Sequence, residues 1–165
     1  MVNIVTAEPH QLQIVRDIAL VTWPHTFREI LTPQQIDYML NMMYSPAALQ
    51  QQTGEKGHVF LLAEVDGTFG GFASYELHYK QQPVCKLHKI YILPSMQGKQ
   101  VGKALLGEVG RIAREAGMLR ISLNVNRDNK ATGFYERIGF TKTGEEDIDI
   151  GNGFFMNDAI MEMPL

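Results

Sequence analysis

The sequence predicts an α/β (α+β) fold, a mixed sheet flanked by helices, and three observations carry that prediction. Two alternating apolar segments, His58 to Val65 and Thr68 to Leu77, flank Asp66-Gly67, a dipeptide that accepts the positive φ angles of a tight hairpin turn. An apolar strand, Val84 to Leu93, is followed by an amphipathic helix and then by the alternating segment Ile121 to Val125, the order of a parallel βαβ unit with a right-handed crossover. At 165 residues the chain is long enough to bury one core, and no repeat, low-complexity tract or Pro/Ser-rich linker divides it, so residues 1–165 are read as one domain.

Each element follows from its own residues. Val2 to Thr6 alternates as a short strand. Glu8-Pro9 opens a helix whose apolar positions Leu12, Val15, Ile18, Ala19 and Thr22 recur at helical spacing, and its end is expected near Trp23-Pro24, because proline disfavours helix at the residue before it. Thr32-Pro33 caps a second helix carrying Ile36, Met39, Leu40 and Met43, and Ser45-Pro46 caps a short third. After the hairpin, Gln81-Gln82-Pro83 turns into Val84–Leu93, which is apolar on both faces and therefore central, and Pro94 stops it. Val101, Leu105, Val109, Ile112 and Ala116 stripe a helix that Gly117 can end with a left-handed cap. A further helix is expected from about Asp128 to Arg137. Phe140 to Ile150 and Phe154 to Met163 read as antiparallel strands joined near Gly151-Asn152-Gly153.

Bulk properties exclude several classes. The single cysteine, Cys85, rules out an intrachain disulfide framework and a multi-cysteine metal site, and no other metal motif is apparent. Met1-Val2-Asn3-Ile4 lacks the basic and apolar regions of a signal peptide, and no apolar run approaches twenty residues, so a soluble cytoplasmic protein without a membrane partner is expected. The net charge of −3 hides an asymmetry: residues 98–142 carry nine Lys/Arg against four Asp/Glu, while residues 143–165 carry six acidic groups and no basic ones. One region suits an anion and the other a cation, although both also serve as solvated surface. An acidic chain is a poor nucleic-acid ligand. An exposed terminal strand leaves a homodimer open.

The segment Gln97-Gly98-Lys99-Gln100-Val101-Gly102-Lys103 lies between the Pro-terminated strand and the amphipathic helix. The first amides of a helix lack intrahelical acceptors and sit at the positive end of its dipole, while glycines let a ligand approach the chain, so this stretch reads as a pyrophosphate cradle. It is not a Walker A loop, since three residues separate Gly98 from Gly102 and Ala104 follows Lys103, nor does it carry the three-glycine dinucleotide fingerprint.

Gln97, the position of Gln100, and Gly102 after a central strand form one motif; Asn126, Asn129, Ala131, Phe134, Tyr135, Gly139 and Phe140 form a second. In this order, and with this order of elements over nearly the whole chain, they resemble the GNAT superfamily of acyl-CoA-dependent N-acetyltransferases. The resemblance implies a mostly antiparallel sheet with a central parallel pair splayed apart, and acetyl-CoA (coenzyme A) as acyl donor with no metal. It further implies that Ile90, Tyr91 and Ile92 offer backbone groups to pantetheine and that Gln97 to Lys103 hold the pyrophosphate. Asn129 resembles the asparagine that contacts the cofactor arm, and equally reads as a helix cap. Gln100 replaces the family's middle glycine; the loop survives if its φ stays negative, and cofactor binding is then expected to persist, at most weakened.

The segments Thr22 to Phe27, Leu87 to Ile92 and Phe154 to Asp158 are similar to the PaiA-like branch, which includes polyamine acetyltransferases. That likeness favours a small cationic amine or polyamine, with the acidic residues Glu145, Glu146, Asp147, Asp149 and Asp158 helping to attract it. Trp23, His25 and Phe27 are the substrate-side aromatics, or pack against the sheet. Met39, Met42 and Met43 line either the core or the substrate rim.

Acetyl transfer needs a neutral amine, yet with a pKa about 10.4 only roughly one alkylamine in a few thousand is neutral near pH 7. His88, where related enzymes often place a glutamate, is the first candidate base; Glu76 and His78 are the alternatives, acting through water. Tyr135 falls where family tyrosines reach the thioester sulfur, and is the candidate general acid. Cys85 as a first acetyl acceptor is the ping-pong alternative to a buried small hydrophobe. The expected activity is direct transfer to a primary amine. The alternatives are acetylation of a protein N-terminus or lysine, or a non-catalytic acyl-CoA sensor.

Overall fold

The computed structural model describes residues 1–165. Seven strands form one sheet: β1 (Val2–Thr6), β2 (Val59–Val65), β3 (Thr68–Glu76), β4 (Val84–Ile92), β5 (Arg120–Asn126), β6 (Thr141–Gly151) and β7 (Phe154–Pro164). Their order is β1-β2-β3-β4-β5-β7-β6, with every pair antiparallel except β4 and β5. The expected hairpin turns form through left-handed residues, Asp66 and Gly67 in one and Asn152 and Gly153 in the other. The chain's last strand is therefore internal, and the sheet edges are β1 and β6. No helix is long and apolar enough to cross a membrane.

Helices cover both faces. On one, α4 (Val101–Glu115) sets Leu105, Val109 and Ala113 against Leu61, Ala73, Leu87, Ile121 and Met161. On the other, α1 (Leu12–Phe27), α2 (Pro33–Tyr44) and α3 (Pro46–Thr53) set Val15, Trp23, Tyr44 and Leu49 against Phe60, Leu62 and Phe72. Thr32 and Ser45 cap α2 and α3 as their sequences predict, accepting from the Gln35 and Ala48 amides.

Two helix boundaries differ from expectation. The first helix runs through Pro24 to Phe27. Proline removes only the bond to the Leu20 carbonyl; Leu20 and Pro24 are both exposed, so water can serve that carbonyl, while buried Trp23 and Phe27 hold the last turn against the core. The helix expected from about Asp128 begins instead at Ala131, as α5 (Ala131–Ile138). Asn126 and Asn129 accept from the amides of Asp128 and Ala131, and these two side-chain turns occupy what would have been its first turn.

Register explains the shape of the centre. Ser74 and Tyr75 of β3 pair with Lys89 and Leu87 of β4, which leaves His88 as an extra, bulged residue. The bulge shifts the side-chain alternation by one, so that Leu87 before it and Ile90 and Ile92 after it pack toward the same core cluster. The parallel pairing of β4 with β5 also stops there: it runs from Val84–Arg120 to Leu87–Leu123 and goes no further, although both strands continue. The splay that the family resemblance implies is thus present.

Candidate active site

Where the two strands part, a cleft of about 1600 Å³ opens between the helical layers. One end is built by the loop before α4. None of the backbone N–H groups from Gly98 to Lys103 donates within the chain. Gly98 (φ 80°) and Gln100 (φ 65°) both hold left-handed backbone, so the condition of a negative φ at Gln100 is not met, and the loop forms with the glutamine in the conformation that favours glycine. A left-handed non-glycine residue costs about 1–2 kcal/mol, and here it keeps successive amides converging on one side. At Gly102 the constraint is space rather than φ: a Cβ there would lie 3.1 Å from Ile92 Cδ1, which would have to give by a few tenths of an ångström. Gln97, Gly98, Gln100, Val101, Gly102 and Lys103 border the cleft, whereas Lys99 is exposed outside it.

The long wall is β4. Beyond Leu87 its backbone pairs with β3 on one side only, so the β5-facing groups from His88 to Ile92 remain available to an extended ligand. Across the gap, Tyr135 of α5 lies beside Phe134 and Phe140, at ring separations of 5.5 and 5.6 Å. Burial alone pushes its hydroxyl well above the usual tyrosine range, so it stays protonated as a neutral donor. Asn129 Oδ1 accepts from the Ala131 amide in a side-chain turn just before α5 rather than as its N-cap, which is Lys130, and its position on the cleft leaves Nδ2 free to face a ligand.

The other end holds titratable groups from several elements. His88 Nε2 lies 2.9 Å from Glu76 Oε1, and His58, just before β2, places its Nε2 3.5 Å from the same oxygen. The two imidazoles stack with centroids 3.9 Å apart. Burial, then neighbouring lysines, push His88 down to about 3; burial and then His88 do the same to His58, also to about 3, so both rings are neutral near pH 7. Lys89 is buried, held by Gln52 Oε1 at 2.6 Å and lying over the Tyr44 and Phe60 rings; burial pushes it down to about 7. Lys86 donates to Asn124 Oδ1 at 2.5 Å, and Asn124 donates to buried Asp158, whose carboxyl burial raises.

Other sequence-stated candidates fall into place unevenly. Trp23 and Phe27 are core residues that floor the cleft, with Trp23 Nε1 donating to the Tyr44 hydroxyl at 3.1 Å, while His25 is exposed at the rim. Met39 is buried, Met43 is half-buried on the cleft, and Met42 is exposed away from it. His78 is exposed in a turn outside the cleft wall, which removes it as a base. Cys85 is fully buried and its thiol is pushed up to about 12 by burial, which disfavours the ping-pong route. Of the acidic residues, Glu145 and Asp147 pair with Arg127 and Asp149 accepts from the Gly151 amide; only Glu146 and Asp158 face the cleft.

His58 was missed by the sequence reading: counting outward from the Asp66-Gly67 turn sets it opposite Tyr75, and only the bulge at Gly70, which pairs Val59 with Tyr75, carries it on to Glu76. His58, Glu76 and His88 together resemble a metal-ligand set. Stacked rings, however, aim their lone pairs nearly parallel rather than toward one tetrahedral centre, and Lys56, Lys86 and Lys89 surround them. The set is better suited to sharing protons than to holding a cation.

A splayed parallel pair beside an amide-lined loop at a helix start offers open backbone groups to an extended, phosphate-bearing ligand. Residues 13–140 match the acetyltransferase (GNAT) family, and the chain belongs to it, an acetyl-CoA-dependent N-acetyltransferase. A spermidine N(1)-acetyltransferase of Thermoplasma acidophilum is 28% identical over 150 residues, 88% of this chain and 89% of that protein. The crystal structure of a PaiA N-acetyltransferase from the same organism, in complex with coenzyme A, superposes with a TM-score of 0.82 at 26% identity, covering 100% of this chain and 99% of that one. A GCN5-related N-acetyltransferase structure from Rhodopseudomonas palustris shares the fold, with a TM-score of 0.84 at 20% identity over 99% and 95% of the two chains.

Proposed function

We propose that residues 1–165 act as one cytoplasmic catalytic unit that transfers an acetyl group directly from acetyl-CoA to the primary amine of a small amine or polyamine. The reading rests above all on one observation: pairing of β4 with β5 ends at Leu87–Leu123, beside a loop whose amides from Gly98 to Lys103 are unpaired. Gly98 to Lys103 hold the pyrophosphate, and the backbone of Ile90, Tyr91 and Ile92 holds the pantetheine arm. Bound there, acetyl-CoA supplies the activated carbonyl.

His88 takes the amine's proton at Nδ1, with Nε2–H directed to Glu76. A backbone N–H near Tyr91 or Ile92 receives the carbonyl oxygen as charge develops on it. Tyr135 donates to the departing thiolate; because its hydroxyl is a weaker acid than a thiol, donation accompanies bond cleavage rather than preceding it. Glu76, Glu146 and Asp158 on the cleft favour a cationic acceptor, as does the likeness to the spermidine acetyltransferase. Lys86 and Lys89 on the same wall favour a second reading, an amine that also carries an acid group.

Incubation with acetyl-CoA and a panel of amines, including spermidine, amino acids and a peptide, tests this through release of free thiol. Amine-dependent release with a small amine is expected. Release only with peptide contradicts the acceptor assignment, and coenzyme A binding without release favours a sensor.

A further inference from the structure

The cluster at the acceptor end contains one group for which the reaction as described has no use. His58 is nearly enclosed, its ring lies flat on that of His88, and its Nδ1 is buried with no hydrogen-bond partner. A proton on that nitrogen would be a donor stripped of water and given nothing in return, whereas a bare lone pair there is the lesser loss. The proton of the neutral ring therefore belongs on Nε2, the nitrogen that faces Glu76. By contrast, His88 Nδ1 is neither buried nor bonded, so although both rings line the cleft, His88 is the more exposed and the one with Nδ1 open to an acceptor.

We propose that His58 is a positioning residue for the proton acceptor: its ring gives His88 a flat surface and its Nε2 approaches Glu76 to 3.5 Å, fixing the His88 ring with Nε2–H on Glu76 and Nδ1 open to the amine. This rests on the reading of His88 as base, and it adds a member to the proton-accepting unit that contributes no atom to the amine. Glu76 is shared between the two rings. Losing the polar His58 Nε2 beside Glu76 leaves that carboxylate wholly to His88, which strengthens its hold on a protonated His88. The charged and titratable groups facing the pair are Lys86 and Lys89 of β4, Lys56 before β2, Glu76 of β3 and Tyr79 after it. The lysines oppose a positive imidazole and Glu76 favours it.

Two measurements test the assignment. Nitrogen-15 NMR of the imidazoles in the resting protein is expected to show His58 as the Nε2–H tautomer, with the signal altered by Glu76→Gln; a His58 Nδ1–H tautomer overturns the proposal whether or not an acceptor has been found. Steady-state kinetics of His58→Phe and His58→Gln follow, with coenzyme A affinity measured in parallel. Phe keeps a flat ring without the donor, and Gln keeps a donor without the ring. Expected are a fall in kcat of about tenfold for Phe, a smaller fall for Gln, and an acid limb of kcat/KM moved to higher pH in Phe, with coenzyme A affinity unchanged. An unmoved acid limb, or loss of coenzyme A binding in step with kcat, makes His58 a packing residue only. If the unaltered protein releases no thiol with any amine of the panel, the transferase reading fails, and the NMR result still decides the role of His58 in the cluster.

Discussion

Tyr135 and His88 face one another's chemistry from opposite sides of the gap, and burial acts on them in opposite senses. It keeps the phenol protonated and the imidazole unprotonated, and the same burial makes that imidazole a weak base, so on the proposed mechanism it takes the amine's proton only as the C–N bond forms and acidifies that nitrogen. Tyr135→Phe removes a donor used only as the thiolate leaves, so turnover should fall by about 100-fold or more with coenzyme A affinity within about twofold, read by kinetics and calorimetry on one preparation. Equal turnover in the variant removes the hydroxyl from the mechanism. The place of Tyr135 on the cleft was legible in the sequence because the residue sits in a spaced motif. His58 was not, because its role depends on a hairpin register that a bulge near Gly70 shifts by one residue.

At the scale of elements, a bulge and a loop do most to shape the site. The extra residue at His88 ends pairing with β5 and turns Lys86, His88 and Lys89 toward the acceptor end, an outcome that strand periodicity alone does not forecast. The loop before α4 keeps a glycine-like shape at a glutamine, because the helix behind it and Gly98 before it determine the path. Gln100→Gly should relieve about 1 kcal/mol of backbone strain, partly offset by the entropy of glycine, and leave coenzyme A affinity equal or higher. Gln100→Val, β-branched at positive φ, should weaken that affinity at least fivefold. Calorimetric titration of both variants checks the pair; equal weakening by Gly and Val shows that the side chain, not the backbone, makes the contact. The Pro24 boundary was misjudged for a related reason: local preference points to a stop, and burial of Trp23 and Phe27 overrides it.

The whole molecule stores basic groups in places that disfavour their charge. His58 and His88 have folded pKa values near 3 against about 6.5 when unfolded, so between those values the unfolded chain binds more protons and stability rises with pH. Lys89, near 7 against about 10.4, adds a second rise at higher pH. Asp158 opposes them at the acid end, since its raised carboxyl pKa favours the folded state at low pH. Thermal unfolding should therefore show Tm climbing from pH 4.5 to 6.5, with a shallower climb in His88→Gln; a flat Tm over that range in the unaltered protein contradicts the burial of these rings.

The two hairpins, the parallel β4–β5 pair and the place of the loop before α4 were readable from alternation, turn dipeptides and motif spacing, whereas the insertion of the last strand, β7, between β5 and β6 was not. The acceptor wall was not, because it gathers Gln52, His58, Glu76, Lys86 and Asp158 from five separate elements or their edges. The most direct test of the account is a crystal structure with coenzyme A bound. It should place the pyrophosphate within hydrogen-bond distance of the amides between Gly98 and Lys103, with pantetheine running along Ile90 to Ile92 in the gap between β4 and β5. Phosphates bound elsewhere, or a gap closed by strand pairing, would contradict it.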